Sequence, residues 1–205
     1  MGIQERKQRE KEQRRRSILD MARELIRQKS YLEITMEDIA RELELSRATL
    51  YLYFRNKSEI YLTLLTEGMW QLRQDYDRWQ EQHPEASLNE RLMTLARVFF
   101  IFYQSDYGYF DLMFSKREEM IADSSPEAVL EHKKSGQAIL EPLFVAIQEG
   151  IAAGTFRKDY SAEKIAWLLR AVIIGIAMGF KEGKLRFPDD LHLLEEMILP
   201  GLRPA

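Results

Sequence analysis

Apolar residues recur every three or four positions along most of this chain, and no stretch alternates long enough to make a half-buried strand. A first helix is expected from about Arg14 to Lys29, with Ile18, Ala22, Leu25 and Ile26 inward. Met36, Ile39, Ala40 and Leu43 then make a short stripe, and Leu50 with Phe54 makes another. Ser58 is read as the cap of a long fourth helix that ends at Gln82-His83-Pro84, since the residue before proline avoids helical geometry. Ser87 and Glu90 have the spacing of a capping box and open a fifth helix. A sixth element is expected over about Tyr107 to Glu118. The seventh starts at Ser125-Pro126, should kink at Pro142 and should end at Gly154. Ser161 caps an eighth helix to about Glu182, and Pro188-Asp189 opens a ninth to about Leu199. The pattern predicts an all-α fold of about nine helices.

The second and third helices are short, close together and individually capped. Thr35 followed by Asp38, and Ser46 ahead of Arg47, are N-cap signals. Leu50 and Phe54 supply the buried side of the later helix, which leaves Arg47, Ala48, Thr49, Tyr51 and Tyr53 on its other faces. This is the layout of a helix-turn-helix, in which the first helix braces a second whose side chains meet the DNA major groove. Thr49 and Tyr53, four apart, are expected to share a face, and Arg47 can reach a guanine edge or a phosphate. Lys57 is placed as a phosphate anchor. Together with Thr35 these residues are the expected DNA contacts. The other reading of the segment is a helical hairpin inside an unrelated all-α protein, which leaves the exposed polar and aromatic positions unexplained.

Ile39-Ala40, Leu45-Ser46, Thr49-Leu50-Tyr51, Tyr53-Phe54 and Asn56-Lys57, in that order, resemble the signature of the tetracycline-repressor (TetR) family of bacterial transcriptional regulators. The resemblance spans roughly residues 17 to 61, under a quarter of the chain. It departs from the family where Leu43 and Glu44 stand in place of a small residue and glycine, and where Ala48 replaces a common glycine. A side chain in a left-handed turn costs about 1 kcal/mol relative to glycine, so the turn is expected to differ or to carry strain. The resemblance implies residues 1–57 as the DNA-binding domain and 58–205 as a helical effector-binding and dimerisation domain. It also implies a small-molecule inducer pocket and a dimer interface built from the last two helices.

Composition narrows the alternatives. With no cysteine, disulfides, thiolate catalysis and thiolate-bound metal are unavailable. The charged N-terminus has no apolar stretch behind it to act as a secretory signal, and the stretch from Ile165 to Phe180 is short and interrupted by Arg170. A cytoplasmic protein with no membrane association is expected. The net charge is −3, but residues 1–60 hold 14 Lys and Arg against 11 Asp and Glu, while the rest holds 16 against 22. Arg6, Lys7, Arg9, Lys11, Arg14, Arg15 and Arg16 form a basic run ahead of the first apolar face. It is either a solvated tail or an arm along the phosphate backbone.

Two further patterns bear on assembly and ligand. Trp167, Leu168, Ala171, Val172, Gly175, Ile176 and Gly179 make the eighth helix apolar over a wide arc, with Gly175 and Gly179 spaced for close approach of another backbone. Burial within one subunit and a homodimer interface both fit; the interface, with Trp167, Ala171, Gly175 and Gly179 as its candidates, is preferred because two recognition helices need a fixed separation on a palindromic operator. Phe102, Tyr103, Tyr107, Phe110, Met113 and Phe114 fall in an aromatic concentration that exceeds packing needs, and are the candidate effector-binding residues for a small apolar or aromatic molecule. The three histidines lack metal-ligand spacing, and no phosphate loop or nucleophile elbow appears, so neither a metal nor a cofactor is expected. A helical enzyme or a protein-binding adaptor is the alternative class. The function expected is sequence-specific transcriptional regulation on double-stranded DNA, with repression and release by effector as the mode, and activation as the alternative sign.

Overall fold

The computed structural model describes residues 2–105 and 112–204, without the side chains of Tyr103, Ser105 and Ser115. Every regular element among the described residues is helical. α1 covers Ile3–Gln28, α2 Met36–Glu42, α3 Arg47–Tyr51, α4 Lys57–Gln82 and α5 Leu88–Ser105. A π-helical turn, Leu112–Lys116, leads into α6, Arg117–Asp123; α7 is Pro126–Ala152 and α8 is Ala162–Lys181. The chain then closes in three short turns, Asp189–Leu191, Leu194–Ile198 and Leu199–Leu202.

The chain forms two compact units, Met1–Gly68 with Asp106–Lys134, and Met69–Ser105 with Ser135–Ala205. In the first, Ile18, Leu19, Ala22, Leu25 and Ile26 of α1 meet the buried faces of α2, α3 and the start of α4. Ile39, Leu50, Phe54, Ile60 and Leu64 are almost wholly shielded from solvent. Tyr61 donates its hydroxyl to the Ala22 carbonyl at 3.1 Å and packs edge-on against Tyr31 at 5.4 Å. A buried polar contact also lies here: Thr66 Oγ1 is 3.2 Å from Nδ1 of the fully buried His132, and Arg117 Nε donates to its Nε2 at 3.1 Å. Since Nε2 accepts from Arg117, the proton sits on Nδ1 and the ring is neutral. Burial, with Arg117 beside it, pushes the His132 pKa down to about 4.

In the second unit Phe100, Phe180 and Phe187 form an aromatic cluster with centroid separations of 5.0 to 6.0 Å. Gly150 of α7 admits the ring of Phe156, which would lie 2.0 Å from a Cβ at that position. Pro142 sits inside α7 and has no N–H to give the Ala138 carbonyl four residues back. Arg73 of α4 fills that vacancy, donating Nη1 to Ala138 O at 2.7 Å and to Glu141 at 2.6 Å while Nε is held by Asp77 at 2.8 Å. The freed acceptor is thereby satisfied by a charge-assisted bond.

Several expected boundaries shift. α1 begins at Ile3, eleven residues before Arg14, because the charged segment is made of good helix formers and is laced by Arg6–Glu10 at 3.3 Å and Gln8–Glu12 at 2.8 Å. The sixth element has its regular part further along, at Leu112–Lys116 and Arg117–Asp123; the expected start near Tyr107 lies outside the described residues. The ninth helix is replaced by the three closing turns.

Candidate nucleic-acid interface

Local hydrogen bonding builds the two motif helices. Thr35 caps α2 through a reciprocal box, its Oγ1 accepting from Asp38 N at 3.1 Å while Asp38 Oδ2 accepts from Thr35 N at 3.0 Å. The hydroxyl of Thr35 and the Arg41 guanidinium both bond to this carboxylate and lower the Asp38 pKa to about 2. The turn after α2 is a Schellman motif: Leu45 N bonds Ala40 O at 2.8 Å and Glu44 N bonds Arg41 O at 3.1 Å. Glu44 has φ 53°, the left-handed conformation that this position of the motif requires. The strain expected at the Leu43-Glu44 departure therefore falls on Glu44. Ser46 then caps α3, accepting from Thr49 N at 3.0 Å, and its hydroxyl lies 2.7 Å from that of Thr49.

The two helices are also tied across the turn. Arg47 pairs with Glu37 of α2 and donates Nη2 to the Tyr51 hydroxyl at 3.3 Å. The Tyr51 hydroxyl and Glu37 hold the Arg47 guanidinium above its ordinary pKa, so it stays cationic. Arg47, Ala48 and Tyr51 are exposed, as is Thr35, whereas Thr49 and Tyr53 are half-buried. α3 ends at Tyr51, so the helical spacing that put Thr49 and Tyr53 on one face does not extend that far; Tyr53 sits in the turn behind the helix.

Lys57 has a placement that spacing alone does not indicate. It opens α4 half-buried, and its ammonium donates to the carbonyls of Tyr31 and Ile34, both at 2.7 Å, over the Tyr31 ring at 4.2 Å. Burial lowers its pKa. Two of its three protons thus close the loop before α2, leaving one direction for a phosphate. Asn56, not Ser58, caps α4, with Oδ1 accepting from Glu59 N at 2.9 Å. Ser58 is buried: its hydroxyl lies 3.0 Å from that of Tyr31 and donates to Asp123 at 3.3 Å. Asn56 Nδ2 donates to the Asp123 carbonyl at 2.8 Å and Ser125 Oγ to Glu59 at 2.5 Å, so the joint between α6 and α7 is pinned to the base of the motif. The Asn56-x-x-Glu59 spacing was a readable cap signal; the Asp123 contacts, 65 or more residues away, were not.

The remaining candidates scatter. Phe102 is half-buried in the second unit, and Met113 and Phe114 are half-buried in the first. Tyr107 and Phe110, and the side chain of Tyr103, lie outside what the structure describes. On α8, Trp167 is 54 % exposed, and Ala171 and Gly175 are also exposed, with nothing within 4 Å of a Cβ at Gly175. Gly179 is different. A Cβ there would lie 2.8 Å from Leu185 of the same chain, so its small size serves an internal contact, not a second backbone. No cluster of three or more His, Cys, Asp or Glu able to hold a metal occurs among the described residues.

An all-α chain whose N-terminal part carries two capped helices across a Schellman turn belongs to the class of helix-turn-helix proteins. The family model described as bacterial regulatory proteins, tetR family, matches residues 18–64. Residues 18–64 thus carry a helix-turn-helix segment of the tetR type. It is 30 % identical over 92 residues to the fatty acid metabolism regulator protein of Bacillus subtilis (strain 168), a match covering 44 % of this chain and 46 % of that protein. The match thus spans about half the length of that relative. The fold is shared with the FadR transcriptional regulator from Bacillus subtilis in complex with stearoyl-CoA, at TM-score 0.69, 21 % identity and coverage of 91 % of this chain and 96 % of that one. It is also shared with a tetR-family regulatory protein from Rhodococcus RHA1, at TM-score 0.73, 18 % identity and coverage of 93 % and 97 %.

Proposed function

We propose that the chain is a homodimeric transcriptional repressor that reads a palindromic DNA operator with α3 and leaves it on binding a long-chain acyl-CoA. The observation that supports DNA reading is the presentation of α3. Its caps, the Schellman turn and the Arg47–Glu37 pair fix a short helix whose exposed side chains have little other use. Residues 1–57 act as the reading head and 58–205 as the effector-binding and dimerisation part. The acyl-CoA assignment draws on the FadR structure that holds stearoyl-CoA and on the fatty acid metabolism regulator to which this chain is 30 % identical. No enzymatic step is required of any residue.

The mechanism is a two-state equilibrium. Ligand that binds better to a form with the wrong spacing of the two recognition helices draws the protein away from its operator. The test is a gel-shift titration on a duplex selected from random DNA by the full-length chain. Arg47→Ala, Thr49→Ala and Tyr53→Ala should each weaken binding by on the order of 1–3 kcal/mol with an unchanged fold. Stearoyl-CoA should release the complex, whereas free CoA should not. Unchanged affinity in all three variants would refute the role of α3; a complex indifferent to stearoyl-CoA would refute the effector alone.

A further inference from the structure

The first turns of α1 bury nothing. Residues 2–14 are exposed throughout, although the helix begins at Ile3. A helix without a packed face is marginal in water, which raises the question of what this extension covers. Lys7, Lys11 and Arg14 follow i, i+4, i+7 spacing and form one stripe that continues into the fully buried Ile18. The stripe therefore faces the side on which α1 meets its domain. Arg9 points the other way.

Across from that stripe stand Leu52 and Tyr53, in the turn behind α3, and between them lies an open groove of about 570 Å³. Its lining is completed by Glu10, whose carboxylate is paired with Arg6 at 3.3 Å. Leu52 is 78 % exposed, an apolar side chain turned to solvent. Nearby, the Arg15 guanidinium stacks over Phe54 at 4.4 Å, and its buried Nη1 meets no acceptor among the described residues. One wall is thus cationic and the other carries an isobutyl group and a phenol. That combination suits a sugar-phosphate strand, with phosphates against the cations and the deoxyribose face against Leu52.

The geometry points to this groove as a clamp for one DNA backbone strand flanking the bases under α3, with Lys7, Lys11 and Arg14 as its phosphate contacts. The inference rests on the DNA-reading function proposed above. The clamp works by position, so the cations that face the groove count and a cation on the far side of the same helix does not.

The experiment measures operator affinity of the full-length chain between 50 and 200 mM salt. Each phosphate contact contributes about 0.9 to the slope of log affinity against log salt. Lys11→Gln and Arg14→Gln should each flatten that slope by about 0.9, and Lys7→Gln/Lys11→Gln together by about 1.8. For the double variant, the loss of affinity relative to the parent should shrink by about ten-fold across this salt range. Arg9→Gln removes the same charge and should leave the slope unchanged. Hydroxyl-radical protection of sugars outside the α3 site should disappear in the double variant and persist in Arg9→Gln. Equal slopes for the groove and far-side variants would overturn the clamp, as would identical flanking protection. Thr49→Ala, assayed alongside, separates the two levels. If it weakens binding while the groove variants behave like the parent, only the clamp fails; if the parent binds no selected duplex, the DNA-reading function fails with it.

Discussion

Glu44 and His132 each carry a penalty in the folded chain, one in the backbone and one in protonation. The Schellman turn after α2 asks for a residue free to adopt positive φ, and the chain supplies Glu44 at 53°. No hydrogen bond of the turn needs its side chain; both come from the backbone. Glu44→Gly should therefore raise stability by about 0.5–1 kcal/mol, the relief of side-chain strain being partly offset by the larger backbone entropy of glycine in the unfolded chain. Urea unfolding checks this, and a lower midpoint would contradict the strain. His132 carries the opposite kind of penalty, a buried ring kept neutral. Its folded pKa, about 4, lies below the ordinary 6.5, so the unfolded chain binds the proton more readily. The contribution is fully present above pH 6.5 and is lost as pH falls from 6.5 towards 4, with a slope of up to about 1.4 kcal/mol per pH unit. His132→Asn keeps a donor towards Thr66 and removes the titration, so its stability should stay flatter than the parent's between pH 6.5 and 4.5. That window lies above the range in which the low-pKa carboxylate of Asp38 titrates.

At the scale of elements, whatever rests on neighbours in sequence could be read from the chain. The caps at Thr35, Ser46, Ser87 and Ser161 form with the partners their spacing implies. The apolar stripe of α1 faces inward through the residues that its periodicity marked, Ile18, Ala22, Leu25 and Ile26. What could not be read depends on absence of pattern or on distance. The N-terminal extension of α1 has no apolar period to announce a helix, because all its positions face water or the groove. Ser58 has the residue type of a cap, yet its hydroxyl is drawn to Tyr31 and Asp123, a choice made by tertiary packing while Asn56 takes the cap. Gly179 looked equivalent to Gly175 until Leu185 folded back onto it. The closing segment has helical composition but is interrupted by Pro200 and Gly201, and it settles into 3₁₀ and π turns. α3 was legible because it is short, locally capped and local in its contacts; the pin from Asp123 to the base of the motif was not, since nothing in sequence relates residues so far apart.

For the whole molecule, the unanswered surface is the outer face of α8. Leu168 is 62 % exposed, Met178 is 48 % exposed, and Ala171 and Gly175 lie between them at three- and four-residue steps, the spacing of a helix-pairing seam. Trp167 flanks the seam beneath the Arg170 guanidinium at 5.1 Å. A contiguous apolar strip of this kind on a single chain marks an interaction surface, and the operator reading proposed above requires a second copy held at a fixed distance. The proposed occupant is the same face of a second copy. Gly175→Leu would insert bulk where two backbones approach, and Ala171→Glu would bury an unpaired charge in the pair. Neither should disturb the single chain, because Ala171 is exposed and a Cβ at Gly175 meets nothing within 4 Å. Both variants should therefore sediment as folded monomers with parental circular dichroism, and operator binding should fall because one half-site offers only part of the phosphate and base contacts. Loss of helical signal would instead place the face inside one subunit. Folded dimers in both variants would move the interface off α8 and onto the closing turns, where Met197 is 72 % exposed.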